Sequence, residues 1–82
     1  MDIVESRLAR LGEEIYEENK ADLEKSYLGK IIAIEVESRE VAGVGESVEE
    51  AYATAVKRHP KSPFYFRRVG EDRAAGYVLS VD

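Results

Sequence analysis

Eighty-two residues, 44% of them apolar and 35% charged, make one small domain spanning 1–82. A chain of this size buries only about 60–65% of its unfolded surface, so its stability margin is thin. With no cysteine and a single histidine, His59, the chain has no disulfide, thiolate metal site, cysteine nucleophile or histidine pair.

The net charge of −5 is unevenly spread. Residues 1–56 carry 14 acids against 6 bases, and residues 57–82 carry 3 acids against 6 bases. An acidic whole repels polyanions at long range, so any nucleic-acid contact must rest on the C-terminal third. No run approaches the ~18 apolar residues of a membrane span. Met1–Arg10 has acids where a signal peptide needs bases and an apolar stretch. The expectation is a cytoplasmic domain with no membrane contact. Gln is absent and Asn occurs once, at Asn19. Many charges with few thermolabile side chains is the pattern reported for thermophile proteins.

Residues 2 to about 26 read as a helix. Val4, Leu8, Leu11 and Ile15 recur at helical spacing, and Leu23 and Tyr27 continue the stripe. Gly12 lies inside the pattern and costs about 1 kcal/mol relative to Ala, so it is where the helix is expected to divide. Gly29 ends the helix and opens a β-β-α-β-β unit over about 29–82. In the first strand Ile32, Ile34 and Val36 point one way, and Ile31, Ala33, Glu35 and Glu37 the other. Ser38-Arg39-Glu40 is a turn too short for anything but an antiparallel hairpin, which places Val41–Val44 in the second strand. Gly43 and Gly45 point to close backbone packing or a bulge.

Ser47-Val48-Glu49-Glu50 is a capping box, with the Ser47 hydroxyl accepting from the Glu50 amide and the Glu50 carboxylate returning to the Ser47 amide. A helix over 48–59 follows, and Pro60 stops it. Its Ala51 and Ala55 are small enough to let it lie close on a sheet. Phe64–Val69 is the third strand and Gly76–Val81 the fourth, with Tyr77, Leu79 and Val81 on one face. The expected fold is α+β, α-β-β-α-β-β, with two helices on a four-stranded antiparallel sheet in order 2-1-3-4.

Two segments carry a resemblance. Gly29-Lys30-Ile31-Ile32-Ala33-Ile34 and Gly45-Glu46-Ser47-Val48-Glu49-Glu50-Ala51, with Arg68-Val69-Gly70, resemble a small prokaryotic family of unknown function. That pattern runs from about Glu13 to Gly70. The hairpin followed by Gly-x-Ser-x-Glu-Glu-Ala is also similar to HicB-type antitoxins. These motifs are structural, and the resemblance brings no site residues.

Catalytic patterns are missing. Glu35 and Glu37, about 7 Å apart on one strand face, read as a solvated strand end rather than a general acid/base pair. His59, before a proline at a helix end, reads as structural or solvated. The serines have no nucleophile-elbow context, and no cofactor, nucleotide or metal signature occurs. The chain is therefore expected to be a non-enzymatic protein–protein interaction module that self-associates as a homodimer. Helices covering one sheet face would leave the other open, with Ile31, Ala33 and one register of Phe64–Phe66 uncovered. Ile31, Ala33, Leu8, Leu11 and Tyr65 are the interface candidates. The alternative is an antitoxin-like protein that binds nucleic acid through residues 57–73, by phosphate contacts from Lys57, Arg58, Lys61, Arg67 and Arg68 with stacking on interleaved aromatics. The acidic whole disfavours that alternative.

Overall fold

The computed structural model describes residues 3–70 and 77–79, with side chains described over 7–70. Its elements are α1 (Ile3–Glu18), α2 (Lys20–Tyr27), β1 (Ile31–Glu35), β2 (Glu40–Gly45), α3 (Val48–Arg58), β3 (Phe64–Arg68) and β4 (Tyr77–Leu79). The architecture is α+β. The sheet runs in the order β2-β1-β3-β4, and every neighbouring pair is antiparallel. β4 lies against β3 over the pairs Phe64↔Leu79, Tyr65↔Val78 and Phe66↔Tyr77. The expected strand 76–81 otherwise falls outside the described residues, as do its side chains.

The expected helix order needs correction, because the leading helix is two helices. α1 runs unbroken through Gly12, and the break is at Asn19. There the side-chain Nδ2 donates to the Ile15 carbonyl oxygen at 2.8 Å. The Asn19 amide is shared between the Ile15 and Tyr16 carbonyls at 3.2 and 3.1 Å. A short amide side chain that caps the preceding turn competes with helix continuation. Gly12 has a packing reason instead: a Cβ there would lie 2.6 Å from Tyr65 Cβ, so α1 crosses β3 where it has no side chain. α2 ends at Gly29, whose φ of +85° is the left-handed conformation favoured just past a helix C-terminus.

The alternation along β1 divides the core in two. Ile32, Ile34 and Val36 pack with Ile15 and Tyr16 of α1, Leu23 of α2, and Tyr65. Ile31 and Ala33 pack with Ala51 and Ala55 of α3, and with Ala42, Phe64 and Phe66. Helices therefore cover both faces of the sheet. This corrects the expectation of an open face and of a single covered register in Phe64–Phe66. Phe64 and Phe66 lie under α3, and Tyr65 lies under α1. The two α1-side and α3-side clusters together bury 15 apolar residues of the described chain, which is how so short a chain obtains a core.

α3 starts as its capping box requires. Ser47 is extended and its hydroxyl accepts from the Glu50 amide at 3.2 Å. The return bond reaches one residue further than expected, since Glu50 Oε1 accepts from the Glu46 amide at 2.8 Å. Ser47→Ala removes an acceptor for one helix-terminal amide and is expected to cost about 1 kcal/mol. In a domain this size that lowers Tm by about 4–8 °C. Thermal denaturation followed by circular dichroism checks it, and an unchanged Tm would show that the cap contributes nothing.

Candidate interaction surface

Two of the charged groups singled out in the sequence, Arg67 and Glu35, are buried inside the fold. Glu13 is buried beside Arg67, with Arg67 Nε 3.2 Å from Glu13 Oε2. The Tyr65 hydroxyl donates to the same carboxylate. The Arg67 guanidinium stacks 4.1 Å above the Tyr16 ring, and the Tyr16 hydroxyl accepts from the Gly70 amide at 2.9 Å. Arg67, 2% exposed, cannot reach a phosphate, which corrects its place among the nucleic-acid candidates. Tyr65, buried in the same cluster, is likewise corrected as a surface interface residue. Arg58 pairs with Glu40 at 2.9 Å, and Arg68 Nη1 donates to the Gly29 carbonyl at 2.8 Å. Lys57 and Lys61 are exposed. With Arg67 buried, the five bases are not all presented to solvent.

A second polar group closes the other end of the sheet. β1 ends at Glu35, so Glu37 lies in the exposed turn and the two do not share a strand face. Glu35 is 2% exposed rather than solvated, a correction to the sequence reading. It accepts from the Ser38 amide at 2.8 Å. Burial alone raises its pKa, but the Ser38 hydroxyl and amide, Ser62 and the nearby His59 outweigh burial and hold it below the usual carboxylate value. Glu40, opposite Glu35 in the hairpin, is held low chiefly by its 2.6 Å hydrogen bond with His59 and also by the charge of Arg58. A lowered carboxylate is a poor proton carrier at neutral pH. The arrangement fastens the β1–β2 turn to the end of α3.

The pH dependence follows from the direction of the Glu35 shift. Its contribution to stability is fully present above the unfolded pKa of about 4.3 and is lost as pH falls through the lower folded value. Acid denaturation of Glu35→Gln is therefore expected to be less steep below about pH 4.3 than that of the parent. Identical slopes would show that this carboxylate carries no such linkage.

Among the described residues, one surface open to a partner is the rim of the sheet. Ile31 and Ala33, expected in an interface, are buried beneath α3, at 8% and 0% exposure. Leu8 and Leu11 are half-buried against the α1-side core. Among the described residues, Leu28 and Tyr27 are the exposed large apolar ones. β2 is at the edge of the sheet and pairs on one side only among the described residues. Its outer row of amides and carbonyls is a ready template for another strand. Val41–Val44 contains no charge and no proline. Beside it opens a pocket of about 190 Å³, lined by Ile15, Leu23, Ser26, Tyr27, Arg39 and Val41 among others. A larger depression of about 350 Å³ is lined among the described residues by α1 alone, through Arg10, Glu13, Glu14, Glu17 and Glu18. Four acids on one helix wall offer no convergent set of groups for a small ligand.

The edge has sequence causes. Gly43 and Gly45 bring α3 down onto β2: a Cβ on Gly43 would overlap the Ala51 carbonyl oxygen and lie 2.9 Å from the Ala55 amide nitrogen. The pairing with β1 shifts between Ala33 and Ile34, so Ala42 is an extra residue in β2. The close packing and the bulge were both signalled by the glycines. The open edge comes instead from strand order: the order 2-1-3-4 expected from the sequence already puts the second strand outermost.

No family model, curated protein or solved structure matches this chain.

Proposed function

We propose that this chain is a non-enzymatic protein–protein interaction module that takes up a strand of its partner along β2. The observation that carries the reading is an edge strand of six residues, Glu40–Gly45, with an uncharged centre and a small pocket beside it. In recognition by strand addition, main-chain hydrogen bonds supply affinity and pockets for alternate side chains supply specificity. The pocket next to Val41 is placed to take one side chain of an added strand. The resemblance of the hairpin and α3 start to a prokaryotic family and to HicB-type antitoxins is compatible with a small partner-binding domain.

Selection of extended peptides from a displayed random library tests this. Peptides that bind the parent chain are expected to lose at least about tenfold in affinity for Val41→Lys, since an edge lysine opposes strand addition. A matching circular dichroism spectrum would establish that the variant folds. Selected peptides that bind both chains equally, or no enrichment at all, would overturn the reading.

A further inference from the structure

The bulge gives β2 a symmetry that a regular strand of the same length lacks. Glu40 bonds Arg58 and His59 on the α3 side. Val41 and Val44 pack with the α1-side core. Ala42 packs with the α3-side core, and Gly43 and Gly45 face α3. With Ala42 and Gly43 counted as one bulged position, faces alternate identically from either end of 40–45.

Resting on the strand-addition reading above, we infer that the strand received by β2 is the β2 of a second copy of this chain, antiparallel about a two-fold axis through the Ala42–Gly43 bulge. In that register Val41 lies opposite the second copy's Val44, and Glu40 lies opposite its Gly45, each pair occurring twice. Opposed residues of antiparallel strands share a face, and here every pair does. A shift by one residue sets Ala42 against Val44 and Val41 against Gly45, each pair on opposite faces. The β-branched pairs are favourable across strands, and the two-fold is the commonest closed symmetry. The incoming Val44 covers Val41 at the mouth of the 190 Å³ pocket. On α3, Glu50, Thr54 and Lys57 fall on the flank away from Tyr52 by helical spacing. Acid at one end and base at the other make that flank self-complementary when antiparallel.

Cysteine pairing reads the register directly, because the chain has no cysteine of its own. Val41→Cys and Val44→Cys chains, distinguishable by isotope label, are mixed and oxidised, and the mixed disulfide is quantified. The sedimentation measurement below, made on the parent chain, serves if the valine variants fold poorly. Val41→Cys with Glu46→Cys is the out-of-register control. The mixed disulfide is expected to exceed the control by at least about tenfold, since bridging demands Cβ atoms about 3.5–4.5 Å apart. Sedimentation equilibrium of the parent chain near 100 µM is expected to give twice the 9.2 kDa chain mass, consistent with about micromolar affinity. Equal yields from both pairings would overturn the register. A single 9.2 kDa species would overturn the second copy as occupant, and strand addition would then still stand if library peptides bind.

Discussion

Glu13→Ala is expected to destabilise the chain by about 3–5 kcal/mol, the cost of breaking a buried ion pair by removing one partner. Glu13 and Arg67 are 7% and 2% exposed, and the carboxylate receives both the Arg67 guanidinium and the Tyr65 hydroxyl. The arginine cannot relax into water without leaving its place above the Tyr16 ring. Single domains have about 5–15 kcal/mol in total, so this loss is a large part of the whole. Tm is expected to fall by at least about 12 °C. The double variant Glu13→Leu with Arg67→Met should recover most of the loss, because well-packed apolar replacements of buried pairs are often neutral or better. Thermal denaturation of the three chains decides it. A change of under about 1 kcal/mol for Glu13→Ala would mean that the buried charge is compensated without Glu13.

Gly43→Val is the second large effect, expected to cost about 3 kcal/mol by overpacking. The atoms that a Cβ meets belong to the backbone of α3, at Ala51 and Ala55, and backbone cannot turn aside as a side chain does. Either α3 lifts from the sheet, opening the cluster beneath it, or β2 shifts away from β1. Gly29→Ala is the contrast. A Cβ on Gly29 meets nothing within 4 Å, and its only penalty is the +85° φ, worth about 1–2 kcal/mol. Urea denaturation of both variants should rank Gly43→Val as the more damaging by at least about 1 kcal/mol. Equal midpoints would show that α3 does not rest closely on β2.

Much of this fold was legible because local signals agree with the tertiary outcome. Apolar alternation in Ile31–Val36 placed each residue on its correct side of β1. The Ser47 cap fixed the start of α3, and the short Ser38-Arg39-Glu40 turn fixed the antiparallel hairpin. The small residues Ala51, Ala55 and Gly43 announced a helix packed close on a sheet. What stayed hidden depends on which elements meet. Gly12 looked like a helix break in sequence, yet it is where α1 crosses Tyr65. Asn19 carried the true break through a side-chain bond to Ile15. The apolar residues on both faces of β1 and β3 looked like an uncovered surface until α1 and α2 were seen on the face opposite α3. That change moves the candidate interface from Ile31 and Ala33 to the outer edge of β2. Glu13 and Arg67 gave no local signal, being 54 residues apart, and neither is marked by a motif.

Amide hydrogen exchange, compared between dilute and concentrated protein, tests most directly whether β2 is where a second chain joins. At about 1 µM the outward amides of Glu40–Gly45 should exchange as those of an open edge, and at about 200 µM they should slow severalfold as mass action fills the edge. Amides of β1 and β3, already paired on both sides, should change less. Slowing confined to β2 and the adjoining flank of α3 is the predicted result. Exchange in β2 that is independent of concentration, or protection that appears on α1 instead, would contradict pairing at this edge.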